Sequence, residues 1–315
     1  MLYINMKSWF VFAHIVDKFE KNDYNKIFKK CKQNLSKDTD VYVLRIYNKR
    51  IARVYHYMQN KEEIILHSRQ LKMSRQRWIT NLVNFVKEKV KENGSNIHAL
   101  SYYGHGGSVV VGRWQDPFMG IAEFTKLVIK PIKPKLMAMD SCYMAAITSL
   151  YEFAPYCKYV LASPSWHPYA SISQVPLFGK LPKSDSDTNW KNYAIKLTRQ
   201  FQNLESNPKY TCLIPFDVSG LRETIKKIKT LYLTKDSTLK LNDKQQYDLY
   251  LSVDKKLKKS ILKTVLCWKC IDKCPERVHG ISVREPDPED PWHNHFLKTK
   301  WSKVLDRIKI VRKIE

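Results

Sequence analysis

Two reactive side chains stand at the ends of apolar runs that would hold them still. "IHALSYYGHGGS" (97–108) stops being apolar just before His105, and "KLMAMDSC" (135–142) delivers Cys142. If these runs are neighbouring parallel strands, their ends lie side by side and bring an imidazole to a thiol. Thiolate is the nucleophilic form, and a nearby imidazolium lowers the pKa of the thiol. Reading "YMAAITSLYEFA" (143–154) as a helix puts its N-terminus beside Cys142, where the helix dipole favours negative charge on sulfur or on an oxyanion. Glycine supports the same picture. The chain has nine glycines, and Gly104, Gly106 and Gly107 crowd around His105. A backbone N–H reaches a carbonyl oxygen only where no side chain blocks the approach. Gly106 supplies such an opening, the N–H of Cys142 a second donor, and Gly104 and Gly107 the freedom to turn. On their own, one histidine and one cysteine at strand ends suit a structural role as well as a catalytic one.

The surrounding pattern must supply the scaffold. "SWFVFAHIV" (8–16) reads as a buried strand, 23–35 as a helix, 41–47 as a second strand, and "IARVYHY" with "EEIIL" as a hairpin. Ser74 is an N-cap for a helix whose Ile79, Leu82, Val83, Val86 and Val90 repeat at helical spacing, and Gly94 ends it. Strands at 97–103, 108–114, 135–142 and 158–163 alternate with helices at 120–128 and 143–154. Strands apolar over their whole length, alternating with helices, predict an α/β protein whose largely parallel sheet is covered on both faces. In such sheets, chemistry gathers at the carboxyl ends of strands. Further on, 187–204, 220–233, 247–266 and 301–308 read as helices, with strands at 210–219 and 279–286.

Composition bounds the rest. The 315 residues carry 55 Lys and Arg against 30 Asp and Glu, a net charge of +25. Such a charge draws nucleic acid, an anionic surface or an acidic partner without choosing among them. Seven cysteines are an odd number and four of them are scattered singly, which suits an intracellular, reducing compartment with free thiols and one local cluster. The apolar opening stretch lacks the small-residue cleavage pattern of a secretory signal. No stretch is long and apolar enough for a membrane span. Abundant Lys, Ile, Asn and Tyr suit an AT-rich genome, such as that of a large DNA virus or a protist.

At "YYGHGGS" and "AMDSCYMAAITSLYEFAPYCKYVLASPSWHP" the sequence resembles the clostripain family of cysteine peptidases, relatives of gingipain, legumain and the caspases. The opening strand, "LIPFDVSGL", "GISVREP" and "KWSKVLDRI" look like counterparts in the same order. The resemblance implies a caspase-like three-layer α/β/α sandwich with a mostly parallel sheet and a C-terminal helical elaboration. In it, 1–235 would be the peptidase core and 236–315 an extension packed on the same domain. It implies a cysteine endopeptidase acting on polypeptides, with Cys142 as nucleophile, His105 as general acid/base, and the N–H groups of Gly106 and Cys142 as the oxyanion hole. Asp140 would line a pocket for a Lys or Arg side chain, or alternatively cap the 143–154 helix. Ser165 and Trp166 would border the substrate backbone, with loop packing as the equal alternative for Trp166. No cofactor is required, although some relatives use calcium. Cys267, Cys270, Cys274 and His279 are weak zinc candidates, with free or locally paired thiols as the alternative. The competing reading is a catalytically silent peptidase fold serving as a basic structural or nucleic-acid-associated component, in the cytoplasm or within a virus particle.

Overall fold

The structure, a computed structural model, describes residues 6–313 except 16–17, 48, 60, 71–72, 114–115, 166, 168–170, 205–211, 235–237, 242–243, 272–279 and 285–286. The first strand explains the layering. In β1 (Met6–Ile15), side chains alternate between two faces: Phe10 and Phe12 enter one buried cluster, while Trp9, Val11, Ala13 and Ile15 enter another. A strand apolar on both sides demands cover on both sides. On one face the cover includes α1 (Lys18–Asn34), which contributes Ile27, Phe28 and Cys31. After β2 (Thr39–Tyr47), β3 (Ile51–Met58) and β4 (Lys61–Arg69), α2 (Arg75–Glu92) covers the other face with Trp78, Ile79, Leu82, Val83, Val86 and Val90. Ser74 caps that helix, its side chain accepting from the Arg77 N–H.

The chain next forms β5 (Ser95–Tyr103), then a small meander of β6 (Gly106–Gly107), β7 (Val110–Gly112) and β8 (Pro117–Gly120). A helical stretch runs through α3 (Ile121–Phe124), a π-helical segment (Thr125–Ile129) and α4 (Lys130–Ile132). Beyond it come β9 (Leu136–Asp140), α5 (Ile147–Phe153), β10 (Tyr159–Ala162), α6 (Asp187–Leu204) and β11 (Ile214–Asp217). The main sheet of eight strands has the order β11-β10-β9-β5-β1-β2-β3-β4. Its five central strands, β10 to β2, are mutually parallel, and β11, β3 and β4 complete it in antiparallel fashion. The chain steps from β1 to β2 in one direction, and from β5 through β9 to β10 in the other. The order therefore reverses between β1 and β5, and in sheets of this kind ligands bind beyond the carboxyl ends of the strands at such a point.

Past α7 (Leu221–Lys226) the structure departs from the sequence reading. The basic helix expected over 220–233 stops at Lys226, and Thr230–Thr234 is a strand, β12. The helix expected over 247–266 is shorter too: β13 (Thr238–Leu241) and β14 (Lys244–Asp248) form a hairpin, and α8 covers only Lys255–Leu262. Then follow α9 (Trp268–Ile271), β15 (Ser282–Arg284), α10 (His293–Leu297), α11 (Lys300–Leu305) and an unforeseen strand, β16 (Lys309–Lys313). Beyond the local β13–β14 hairpin, these strands find their partners far away in sequence: β12 pairs in parallel with β16, and β14 in antiparallel fashion with β15. Local periodicity does not record such pairings.

The late segments are fastened to the core through a buried acid. Glu152 in α5 is 2% exposed; one carboxylate oxygen accepts the backbone N–H of Lys300, and the other lies 3.1 Å from its Nζ. Replacing Glu152 with Ala leaves that N–H without its acceptor and should lower stability by about 2 kcal/mol, read from chemical denaturation. An unchanged midpoint would remove this contact from the account of the fold.

Candidate functional site

Register brings the two reactive ends together. β5 and β9 run parallel with Tyr103 opposite Asp140, and the ladder continues one step further with Gly104 N–H donating to Asp140 O at 3.4 Å. His105 and Cys142 are each two residues beyond that last matched pair. The chain then turns at both ends, and the turns press on each other at Gly106. A Cβ there would collide with Ser141 Oγ and come within 3.1 Å of Met144 Sδ. Glycine at 106 therefore lets the His105 turn lie directly on the residue before Cys142. Gly104 has a different reason: its φ is +147°, and a Cβ would meet His14 O and Tyr102 Oη at 2.9 Å each. In the turn beyond Gly106, the left-handed backbone belongs to Ser108, with φ 49°, not to Gly107.

The backbone at His105 is held from two sides, since its carbonyl accepts from Tyr102 Oη and from Gly112 N–H, both at 2.8 Å. Tyr102 is buried in the core, so the turn is pinned to the sheet interior. Sequence reading missed this positioning role. A tyrosine near a strand end has many alternative uses, and only the fold shows where the hydroxyl points.

The Cys142 side corrects an expectation. The helix begins at Ile147 with Ala146 at its N-cap, so its dipole does not start beside Cys142, and Asp140 does not cap it. The reason is a non-local pairing. Tyr143 takes a left-handed conformation (φ 58°), and the chain beyond it runs along 163–165: Tyr143 N–H donates to Ser165 O at 2.9 Å, and Ala145 N–H to Ser163 O at 2.8 Å. Its other edge meets the last part of the chain, where Ser282 N–H donates to Ala145 O at 3.2 Å. Left-handed backbone at a non-glycine residue costs free energy and is retained where the surroundings enforce it.

Around the sulfur, His167 N–H donates to Cys142 Sγ at 3.2 Å, and His167 O lies 3.7 Å away. Burial pushes the Cys142 thiol up from the ordinary 9.0, with the N–H groups of His167 and of Cys142 itself opposing the shift. The resting form at neutral pH is therefore the thiol. Cys31 and Cys157, the other free thiols among the described residues, are fully buried and also raised.

Asp140 is 3% exposed and well satisfied. It accepts from Ile172 N–H at 3.2 and 3.1 Å on its two oxygens, from Ser171 Oγ at 2.8 Å and from Ser101 Oγ at 3.4 Å. Thus it anchors the short 3-10 turn Ile172–Gln174. Ser165 is buried, and its carbonyl is occupied by Tyr143 N–H and Ser163 Oγ (3.1 Å). Trp166 lies outside the described residues. Of the zinc candidates, Cys267 and Cys270 are joined in a disulfide, which has no thiolate to offer a metal; Cys274 and His279 lie outside the described residues. Among the described residues, no group of three or more His, Cys, Asp or Glu side chains is placed to hold a metal ion.

Two solved structures resemble this architecture over nearly its whole extent. An inactive zymogen C11 protease from Parabacteroides distasonis superposes with a TM-score of 0.68 at 13% identity, covering 94% of this chain and 97% of that one. The fold is that of the C11 cysteine proteases. A secreted C11 cysteine protease from Bacteroides thetaiotaomicron, solved with an irreversible peptide inhibitor, gives a TM-score of 0.66 at 10% identity, over 96% of this chain and 99% of that one. No protein-family model and no curated protein matches the sequence. The mostly parallel sheet with helices on both faces is the caspase-like α/β sandwich that the sequence pattern and the resemblance had led us to expect.

Two measurements check this geometry. Gly106→Ala should displace the Ser141–Cys142 turn and lower stability by about 1–3 kcal/mol, and adding Ser141→Gly should recover much of the loss, a non-additivity expected only of residues in contact. Alkylation of Cys142 by iodoacetamide, followed by peptide mapping, should keep accelerating above pH 9.0, because the raised pKa holds the thiol protonated there. A rate already level at pH 8 would contradict the burial of the sulfur.

Proposed function

We propose that this protein is a cysteine endopeptidase in which Cys142 is the nucleophile and His105 the general acid/base. The observation that carries the proposal is the pairing of the two strand ends, Tyr103 against Asp140, with the following turns in contact at Gly106 and Ser141. Any reaction that needs an imidazole to exchange a proton with a thiol requires such a juxtaposition. The C11 fold supports the same reading.

The roles follow from the chemistry of each group. Because the resting thiol is protonated, the proton must leave as the sulfur attacks a peptide carbonyl carbon, and His105 is the base that receives it. The carbonyl oxygen takes up negative charge, which the N–H groups of Gly106 and Cys142 stabilise. Collapse of this intermediate breaks the C–N bond, and His105 returns the proton to the leaving amine, leaving a thioester on Cys142. Water then attacks the thioester, giving its proton to His105. The second collapse releases the carboxylic acid, and the proton goes back to sulfur. No third acid is needed for this proton balance.

The finer part of the proposal concerns the residue before the cleaved bond. Asp140, two positions from the nucleophile, is the carboxylate that would pair with a Lys or Arg side chain there. At long range the net charge of +25 works against very basic polypeptides, so the preference is for isolated basic residues in neutral or acidic contexts.

The direct test is labelling by peptide acyloxymethyl ketones together with hydrolysis of quenched peptides. Cys142→Ala should abolish both. His105→Ala should reduce kcat/KM by about 10²–10⁴-fold while leaving the melting temperature unchanged. A folded protein that neither labels at Cys142 nor cleaves any peptide would favour the silent scaffold instead.

A further inference from the structure

Among the described residues, the basic side chain within 4.0 Å of the Asp140 carboxylate is a histidine, not a lysine or an arginine. His167 Nε2 lies 3.6 Å from Asp140 Oδ1, with side chains only 2% and 1% exposed. The imidazole stacks on Phe201, with ring centres 5.2 Å apart and planes 4° from parallel. Neither of its ring nitrogens has a hydrogen-bond partner among the described residues. A buried imidazole in that state is poorly compensated for leaving water, because 3.6 Å is too long for a good hydrogen bond to the carboxylate. Asp140, in contrast, is well satisfied on its other sides by Ser101, Ser171 and Ile172. The arrangement leaves one direction of the carboxylate facing an occupant that fits it loosely.

The same residue also touches the nucleophile, through its backbone: His167 N–H donates to Cys142 Sγ at 3.2 Å. One residue thus spans from the sulfur to the Asp140 carboxylate, with its main chain at one end and a basic side chain at the other. A substrate residue immediately before the cleaved bond would have to do likewise. Its main chain would meet Cys142, and its side chain would extend to Asp140.

We propose that His167 is a specificity-determining residue that occupies the place of the substrate's basic side chain, so that a Lys or Arg must displace the imidazole before it can reach Asp140. This inference rests on the peptidase reading above. The ligand class is a primary ammonium or guanidinium group. Either makes a stronger charge-assisted bond to Oδ1 than an imidazole at 3.6 Å, while Oδ2 keeps its bonds from Ser101, Ser171 and Ile172. Displacement lowers the apparent affinity for basic substrates and leaves small side chains, which do not reach the carboxylate, unaffected. Its signature is therefore in KM, not in kcat.

The experiment compares peptide-coumarin amides with Arg, Lys or Ala before the cleaved bond on four proteins: the parent, His167→Ala, His167→Ala with Asp140→Asn, and Cys142→Ala as the blank. In His167→Ala, the ratio of kcat/KM for Arg over Ala should rise about tenfold or more, through a lower KM. Adding Asp140→Asn should cancel that rise. His167→Asn, which keeps a polar side chain but shortens it, should give a smaller gain and stands in if the alanine variant melts early. A variant that melts like the parent and cleaves the Ala peptide, yet shows the parental Arg-to-Ala ratio, overturns the role of His167 and leaves the peptidase reading intact. Activity no greater than that of Cys142→Ala, in every protein and on every peptide, overturns both.

Discussion

Everything at the site hangs on one parallel register. A strand pair offset by a single residue would send Asp140 to the opposite face of the sheet and separate the two turns. The match of Tyr103 with Asp140 is enforced by side chains far from any chemistry: Leu100 and Tyr102 face one core with Met137 and Met139, while Ala99 and Tyr103 face the other with Leu136 and Ala138. Both faces are buried, so slipping by one residue would exchange the two sets against cores shaped for the other. The reactive ends inherit their precision from that double burial. The last rung, Gly104 N–H to Asp140 O, carries the register up to the point where the turns begin.

The two turns are held in different ways, which suits different duties. The His105 turn is tied down by Tyr102 from beneath and by the β6–β8 meander from the side. The Cys142 turn has no helix directly behind it. It is an extended stretch flanked by 163–165 on one edge and by Ser282 on the other, with left-handed backbone at Tyr143. Such a segment places Cys142 at a sharp bend and ties the N–H groups of Tyr143 and Ala145 to Ser165 and Ser163, at the cost of a strained residue whose conformation is imposed by its neighbours.

Much of this was legible in the sequence because burial on both faces leaves a plain mark. Strands such as "SWFVFAHI" and "KLMAMD" can sit only in the centre of a covered sheet, and the glycines around His105 announced a close approach. What the sequence could not show depends on contacts made across long separations. Nothing local distinguishes a helix starting at Tyr143 from one starting at Ile147, since the delay comes from pairing with Ser163 and Ser165. The stretch "KTLYLT" has helical neighbours and became a strand because Lys309–Lys313 lay alongside. His167 gave no signal at all, being one histidine in a Pro- and Ser-rich stretch. Its place between the sulfur and the carboxylate is set entirely by the tertiary structure.

The dependence of the Cys142 turn on Ser282 also has a temporal side. A chain is made from its amino end, so Cys142 leaves the ribosome well before the strand that closes the outer edge of its turn. Until Ser282 emerges, Ala145 lacks that partner, and α5 lacks the clasp between Glu152 and Lys300. Cys142 therefore reaches its finished setting only once the last part of the chain is in place.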